Sequence, residues 1–284
     1  MYTDSGKIDS ILEWYIAQYD FTKENIFLHR QNNEFLVFID NQILNESMVK
    51  GLFLWRLYNL NVSIIVPTLN EERVLENTLE QTQQLSPYEL IVSDGGSNDA
   101  TCSIAGKFSD HVVTGSAGRA LQMNAGANKA TGDILLFLHA DNRLELESYL
   151  KMLEQMRNQK CIGGAFTLHI ESEKWSLKFI TLVANIYYRC FGLAYGDQGF
   201  FVRKEVFENM NGFYPLPICE DLDFYRRLRK KGAVIFLTEK IHTSSRRWVK
   251  EGVFFTTARN ILIALLFRLG FPPQTLNKWY PITR

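Results

Sequence analysis

The sequence lacks the signs of a zinc-binding, redox or nucleic-acid-binding protein. Its four cysteines are spread over 284 residues without a Cys-x-x-Cys pair, so neither a zinc ribbon nor a thioredoxin-like site is indicated. The net charge is zero, with 31 basic and 31 acidic residues, whereas general nucleic-acid binders are usually basic. What remains is an ordinary globular composition, with reduced thiols expected in the cytoplasm.

Long apolar runs are also missing. Asp4, Lys7 and Asp9 interrupt the first residues, so no signal-peptide core is expected there. No uncharged apolar run approaches the ~18 residues that a bilayer span needs. Residues 179–188 and 260–267 are the longest, and they suit either a membrane interface or packing in the core or at a homodimer contact. The expected location is cytoplasmic, with peripheral contact at the inner face of the membrane as the alternative.

Two common nucleotide-binding loops are absent. A dinucleotide-binding domain needs G-x-G-x-x-G after its first strand, and the phosphate loop G-x-x-x-x-G-K-[ST] is not found either. The first strand of the main region runs instead into Thr68-Leu69-Asn70-Glu71, which fits a helix capping box. A nucleotide would therefore bind through side chains and a metal.

Composition and periodicity divide the chain at about residue 60. Residues 1–60 combine helical spacing at 8–19 and 52–57 with a hairpin around Gln31-Asn32-Asn33, which predicts an α+β accessory segment or a partner-docking module. Residues 61–284 alternate strands with helices, which predicts an α/β domain with a mainly parallel sheet. Strands are expected at 62–66, 88–92, 111–114, 133–138, 162–170, 199–203 and 233–237, and helices at 119–129, 175–191, 220–231 and 249–269.

A histidine and an aspartate follow the fourth of these strands. Residues 134–138 are apolar throughout, as in a strand buried on both faces, and ligands bind beyond the carboxyl ends of such strands. Asp141 suits Mg²⁺ or Mn²⁺, which take carboxylates together with phosphate oxygens and water. His139 either is a borderline second ligand or shapes the turn.

Two other strand ends carry polar groups. Asp94 is suited to bonding a base or a ribose, and a role in a turn and helix cap is the alternative. Arg119 begins a helix directly after Gly118, where the helix dipole disfavours a cation. An anionic ligand at the same helix start would account for Arg119, and an exposed arginine without a role is the alternative.

Acids and arginines in the last third complete the candidate groups. Glu220 and Asp221 open a helix that ends in basic residues, which indicates either dipole stabilisation or a position for a general base. Arg246 and Arg247 precede Trp248 after a predicted strand. Adjacent guanidiniums suit a diphosphate leaving group, and a surface basic cluster is the alternative.

Taken in order, these stretches resemble the family 2 glycosyltransferases, which have the GT-A fold. The resemblance covers roughly residues 62–248. Within the family the chain is similar to a bacterial subgroup associated with radical SAM/selenodomain proteins, on the stretches 118–124, 196–199 and 243–248. The motifs that carry the family resemblance are Val66-Pro67-Thr68-Leu69-Asn70-Glu71-Glu72, Asp94-Gly95-Gly96-Ser97-Asn98-Asp99, residues 137–141, Gly212-Phe213 and Glu220-Asp221.

The resemblance implies transfer of a sugar from a nucleoside diphosphate donor, usually with inversion at the anomeric carbon. A UDP- or GDP-sugar and Mg²⁺ or Mn²⁺ are the expected partners, with no nucleic acid, and the acceptor stays open. The candidate donor-binding residues are Pro67, Thr68, Leu69, Asn70, Glu71, Asp94, Gly118, Arg119, His139, Ala140, Arg246 and Arg247.

By the same resemblance Asp221, beside Glu220, matches the acid that serves as the base in many members. Asp141 matches the last acid of the Asp-x-Asp motif and is expected to carry the metal, with His242 as a second metal or phosphate contact. His139 stands where the first acid of that motif belongs, which reduces the metal's carboxylates to one. The candidate acceptor-binding residues are Gly196, Asp197, Gln198 and Trp248.

Three functions stay open from the sequence. The first is an inverting glycosyltransferase, and the second is the same enzyme at a membrane surface with a polyprenyl-phosphate or lipid acceptor. The third is a non-catalytic nucleotide-sugar sensor, which His139 and the extra first region keep open. Ser244 replaces the glutamine of the Gln-x-x-Arg-Trp element of processive members, so polymer synthesis is not expected.

Overall fold

The computed structural model describes residues 26–31, 34–39, 42–44, 60–191 and 194–280. The chain divides into two compact units, Met1–Phe53 and Leu54–Arg284. The helices predicted at 8–19 and 52–57 lie outside the described residues. In the first unit the predicted hairpin strands are confirmed as an antiparallel pair, with a third strand beside the second. These strands are β1 (Ile26–Gln31), β2 (Glu34–Ile39) and β3 (Gln42–Leu44).

An eight-stranded sheet forms the centre of the second unit. Its first four strands along the sheet are parallel, because between successive strands along the chain a helix carries the chain back to the end at which the preceding strand began. The remaining strands make the sheet mixed. In the order in which they lie side by side, the strands are β6 (His111–Thr114), β5 (Glu89–Asp94), β4 (Val62–Thr68), β7 (Ile134–Phe137), β10 (Phe200–Arg203), β9 (Cys161–Glu171), β11 (Ala233–Ser244) and β8 (Asn142–Leu144).

Helices flank this sheet, and the predicted α/β architecture is confirmed. The helices predicted at 119–129 and 175–191 are found with the same bounds, because their apolar spacing is unbroken and no proline interrupts them. The helices are α1 (Leu75–Gln83), α2 (Thr101–Phe108), α3 (Arg119–Lys129), α4 (Leu146–Met156), α5 (Trp175–Phe191), α6 (Lys204–Asn209), α7 (Glu220–Leu228), α8 (Arg246–Glu251), α9 (Val253–Arg268) and α10 (Pro273–Asn277).

Two local predictions are wrong. Thr68 does not cap a helix; it is the last residue of β4, and its hydroxyl donates to Asp94 Oδ1 over 3.1 Å, while α1 begins only at Leu75. The single helix predicted at 249–269 is divided into α8 and α9 by Gly252, whose φ of 93° is open to glycine but strained for other residues.

An aromatic cluster fixes α7 against the sheet. The ring centroids of Phe213 and Phe224 are 4.3 Å apart, and Phe213 meets Phe137 edge-on at 5.2 Å. Phe137 ends β7, whereas Phe224 lies one turn into α7, so these rings tie the start of α7 to the end of β7. Burial of such rings contributes several kcal/mol each, which makes the relative position of the two elements rigid.

Gly163 offers a test of strand packing. A Cβ atom on Gly163 in β9 would lie 2.5 Å from the carbonyl oxygen of Phe201 in β10, so Gly163→Ala forces the two strands apart. We expect the free energy of unfolding to fall by ~1–3 kcal/mol in urea denaturation. Gly106→Ala in α2 is the matched control: nothing lies within 4 Å of its Cβ, and we expect a gain of ~0.5–1 kcal/mol. Equal stabilities of the two variants would contradict this packing.

Candidate active site

Six strands, β6 among them, present their carboxyl ends at one edge of the sheet. β4, β5 and β7 are parallel, β10 runs against β7, and β9 and β11 run in the direction of β7 again. Thr68, Asp94 and Asp141 therefore lie at or just beyond this edge, and Arg246 follows the end of β11 at the same edge. In open α/β sheets this is the edge where ligands bind.

The Asp94 carboxylate accepts hydrogen bonds from the turn that follows it and from Thr68. It accepts hydrogen bonds from the backbone N–H groups of Gly96 and Ser97, at 2.8 and 2.7 Å, and from the hydroxyls of Ser97 and Thr68. Burial would raise the pKa of Asp94, but these bonds outweigh it and hold the pKa below its ordinary value. The contacts of Asp94 are thus those of the turn-forming alternative.

The turns after β4 and β5 are joined into one wall. Asn70, at a φ of 53°, donates its backbone N–H to Ser97 Oγ over 2.8 Å and accepts from the N–H of Asn98. The backbone N–H of Glu71 donates to Thr101 Oγ1 over 2.8 Å. These bonds hold five of the candidate donor residues on one rigid surface: Pro67, Thr68, Leu69, Asn70 and Glu71.

Arg246 bridges two carboxylates beside this wall. Its Nη2 atom lies 3.2 Å from Asp141 Oδ2 and 3.2 Å from Glu71 Oε2. Burial would lower the pKa of Arg246, but the two acids outweigh it and raise the pKa above its ordinary value. Asp141 and Glu71 therefore face a shared position that accepts positive charge.

The chemistry of this position fits a divalent cation that also binds phosphate. Mg²⁺ and Mn²⁺ prefer oxygen ligands and often take only one or two carboxylates, with substrate phosphates completing the shell. Within the described ranges no group of three or more His, Cys, Asp or Glu side chains could hold a metal. A metal at Asp141 would thus depend on the diphosphate.

His242 lies in a separate charged network. Its Nε2 is 3.1 Å from Glu145 Oε1, its Nδ1 is 3.5 Å from Glu171 Oε1, and its ring packs against His169 at 4.8 Å. Burial and the nearby Arg143 lower the pKa of His242. Both ring nitrogens are directed at these acids, so the structure does not bring His242 to Asp141 as a second ligand.

Glu220 and Asp221, the two acids at the start of α7, interact with Arg119 and with the backbone of Gly196. Glu220 Oε1 lies 3.5 Å from Arg119 Nη1, so the cation at the start of α3 is matched by a carboxylate of this chain. The backbone N–H of Gly196 donates to Asp221 Oδ2 over 2.8 Å. A Cβ atom on Gly196 would lie 2.8 Å from His139 Nε2, so only glycine lets His139 pack this closely beside Asp221.

Asp197 is the most perturbed carboxyl of the group. Burial, with the negative charge of Asp221, raises its pKa to about 7, although Arg247 and Arg119 oppose the shift. Its Oδ1 atom is buried with no hydrogen-bond partner within the described ranges. Arg247 itself donates to the Tyr280 hydroxyl and lies over that ring. Asp197 therefore presents an unsatisfied oxygen beside Asp221.

Four other candidate residues have structural contacts around the site. Gln198 is fully buried and bonds the backbone of Tyr195 and Phe166, and Trp248 packs on the apolar cluster of Leu168, Ile170 and Leu177. Ala140 is buried, and its carbonyl accepts from Thr78. Gly118 enters α3 at a φ of 140°. These residues contribute packing, backbone hydrogen bonds and chain direction around the site.

Two residues that shape the site were not among the predicted site residues. Gln122 donates its side-chain amide to the carbonyls of Thr68 and Ser93, which joins α3 to the ends of β4 and β5. Tyr280 holds Arg247 from the far end of the chain. The Gln122-Met123-Asn124 stretch was visible as a motif, but no pattern pointed to Tyr280.

Known proteins resemble both the sequence and the fold. The glycosyl transferase family 2 model matches residues 63–209. The probable glycosyltransferase YdaM of Bacillus subtilis is 26% identical over 60% of this chain and 47% of its own length. The chain thus spans about half the length of that relative.

Solved structures with the same fold include two glycosyltransferases. Glucosyl-3-phosphoglycerate synthase of Mycobacterium tuberculosis, in complex with Mn²⁺, UDP and glucosyl-3-phosphoglycerate, has a TM-score of 0.55 at 18% identity, covering 86% of this chain and 87% of that one. A mannosyltransferase of Pyrobaculum calidifontis, in complex with GDP-Man and Mn²⁺, has a TM-score of 0.56 at 16% identity, covering 82% and 76%.

These matches confirm the predicted GT-A fold and the predicted family, while the subgroup stays a prediction. The family model covers residues 63–209, which include the wall after β4, the Asp94 turn, Asp141 and Asp197. The ends of the central strands and the acids of α7 meet at the same edge of the sheet. The chain belongs to glycosyl transferase family 2.

Proposed function

We propose that the chain is an inverting glycosyltransferase that moves a sugar from a nucleoside diphosphate, a UDP- or GDP-sugar, to an acceptor hydroxyl. The observation that carries the proposal is the placement of Asp221. Asp221 is 7% exposed, and the N–H of Gly196 orients its carboxylate. The negative charges of Asp221 and Asp141 both act on Arg119.

Asp221 is suited to act as the general base. Its Oδ1 accepts from the N–H of Leu222 over 2.7 Å and its Oδ2 from Gly196 over 2.8 Å, which fixes the plane of the carboxylate. Each oxygen keeps a lone pair for an acceptor hydroxyl. On this proposal Asp221 removes that proton as the hydroxyl attacks the anomeric carbon from the side opposite the diphosphate.

Arg119 and Arg247 are suited to stabilise the departing diphosphate. Burial would lower the pKa of Arg119, but Glu220, Asp221, Asp197 and Asp141 outweigh it and keep the guanidinium charged. The two arginines influence each other's ionisation, which indicates that they lie close together. Fixed cations aimed at charge that develops in the transition state supply large catalytic effects.

Asp141 would hold Mg²⁺ or Mn²⁺, with Glu71 facing the same position. When bound, the ion neutralises the diphosphate as it leaves. For that to happen Arg246 has to release Asp141, and its guanidinium is then free to contact phosphate. Two solved structures with the same fold contain Mn²⁺, which supports the use of a divalent cation in this proposal.

Asp197 is suited to line the acceptor side. Its buried Oδ1 has no partner in the described part of the chain, and an acceptor hydroxyl would supply one. Since its pKa is raised to about 7, the carboxyl can hold a proton near neutrality. In its neutral form Asp197 does not repel the negative charge of Asp221. The alternative of a polyprenyl-phosphate or lipid acceptor is favoured by exposed apolar helices described below.

Asp221→Asn tests the base. An amide cannot take the proton, so we expect sugar transfer to fall by about 10²–10⁴-fold. The measurement is single-turnover transfer beside donor hydrolysis, with binding of the donor unchanged. The control is Asp223→Asn in the same helix, whose carboxylate pairs with Arg226 and Arg227 and should affect stability only. Undiminished transfer by Asp221→Asn removes the base role and indicates an acceptor that is already ionised.

Asp141→Asn tests the metal position. With one carboxylate lost, the Mn²⁺ concentration for half-maximal transfer should rise at least about tenfold. His242→Ala, in the separate network with Glu145 and Glu171, should leave that concentration unchanged. Transfer that persists in EDTA contradicts the assignment, and absence of turnover with any donor and Mn²⁺ supports the nucleotide-sugar sensor instead.

Asp197 makes stability depend on pH. The folded protein holds its proton up to about pH 7, whereas the unfolded chain releases it near 3.8. The folded state thus binds more protons between these values, and the free energy of unfolding falls as the pH rises. Asp197→Asn should gain about 1–2 kcal/mol at pH 8 and show a shallower slope in urea unfolding between pH 5 and 8. A slope equal to that of the wild type would contradict the raised pKa.

A further inference from the structure

Helix α5 carries its apolar residues on the side that faces solvent. Trp175, Phe179 and Ile186 are 76%, 60% and 54% exposed, and together with Leu182 and Val183 they follow the i, i+4, i+7, i+8, i+11 spacing of one helical face. The buried side holds Leu177 but also the polar Thr181. This is the reverse of the arrangement expected for a helix that faces water.

Helix α9 shows the same reversal. Thr256 and Arg259 are buried, and Arg259 pairs there with Glu251 over 2.6 Å. Phe254 and Phe255 are 75% and 64% exposed, and Leu262 is half exposed. The helix also buries Ile263 and Ala264, but around its first turns polar groups lie inside while large aromatic rings lie outside. This arrangement indicates that the outer side meets an apolar environment.

The two helices present one continuous surface. Leu177 of α5 belongs to a buried cluster with Leu168 and Ile170, and Trp248 of α8 and Val253 of α9 pack on the same cluster. The two helices therefore pack on the same cluster and contact each other. We name the outer apolar face by six of its members: Trp175, Phe179, Ile186, Phe254, Phe255 and Leu262.

Positive charge surrounds this face. Residues 172–191 and 246–280 contain nine lysines and arginines and only two acids, in a chain whose net charge is zero. Of the nine, Arg246 and Arg247 belong to the candidate active site and Arg259 is buried. The other six are exposed: Lys174, Lys178, Arg189, Lys250, Arg268 and Lys278. One of the two acids, Glu251, is buried against Arg259, whereas Lys174 and Lys250 are exposed. Exposed aromatic rings fringed by lysines suit the interface of an anionic bilayer, where rings enter the headgroup region and lysines meet phosphates.

We propose that the outer apolar face docks the protein on the surface of an anionic lipid bilayer. Among the described residues no helix combines the length and apolarity needed to cross a membrane, so the contact is peripheral. The excess of basic residues favours anionic lipid over a second copy of this chain, because two such faces would repel each other. The docking goes beyond sugar transfer and is tested by binding alone.

Vesicle flotation of the full chain tests the docking. Wild type should float with phosphatidylcholine vesicles that contain 30% phosphatidylglycerol, and Phe179→Ser with Phe254→Ser should weaken this binding by about tenfold or more. Lys174→Ala with Lys250→Ala should weaken it by about fivefold per lysine, and only on anionic vesicles. The control is Tyr88→Ser, which removes an aromatic ring that is 57% exposed at the start of β5 and should leave binding unchanged.

Three outcomes overturn the docking. The first is that the wild-type protein does not float with the vesicles. The second is that the Phe179→Ser, Phe254→Ser variant floats as well as the wild type. The third is that light scattering detects a concentration-dependent dimer that this variant no longer forms. The last outcome would assign the face to a second copy. Thermal shifts with UDP- and GDP-sugars on the same variants keep the test separate from the proposed function, since the substituted rings lie outside the candidate donor site.

Discussion

The balance between buried carboxylates and arginines is the constraint on which the candidate site depends. Glu220, Asp221 and Asp197 are drawn together at the start of α7 and the turn before β10, where burial makes an uncompensated charge costly. Arg119 and Arg247 supply positive charge against these acids. Burial also raises the pKa of both Asp197 and Glu220, so protonation lowers the negative charge of the cluster further.

Backbone groups and core packing hold the cluster in register. The N–H of Gly196 fixes Asp221, and the missing side chain at that glycine lets His139 approach from the end of β7. The tilted rings of Phe213 and Phe224, together with Phe137, tie α7 to the same strand. His139 stands in the place of the first acid of Asp-x-Asp and lies near Gly196 and Asp221. On the proposed function, a cation at Asp141 would therefore need phosphate oxygens to complete its ligands.

Local patterns in the sequence predicted most of the fold, because strands and helices here are continuous runs with clear ends. The bounds of α3 and α5 follow from apolar spacing alone, and the family motifs placed Asp94, Asp141 and Asp221 at one edge of the sheet. Contacts between distant positions could not be predicted. Arg119 meets Glu220, and Arg247 meets Tyr280, across chain separations that only the folded topology closes.

The errors have the same origin. Thr68 has the residue type of a helix cap, yet its hydroxyl is taken by Asp94 on the neighbouring strand, so tertiary contact overrides the local preference. The helix predicted at 249–269 fails at Gly252, where a positive φ turns the chain between Arg247 on the cleft side and Phe254 on the outer side. A single glycine does not interrupt the apolar periodicity of a sequence, because one glycine inside a helix costs only about 1 kcal/mol of helix propensity.

That break links the two surfaces for which functions are proposed. Helix α8 carries Arg247 toward Asp197 and the Tyr280 ring, while Val249 on the same short helix is 58% exposed beside the outer apolar face. One helix therefore forms both a wall of the cleft and a margin of the face. If the outer apolar face docks on a bilayer as proposed, α8 would place the candidate site near the lipid, which favours the lipid-acceptor alternative over a soluble acceptor.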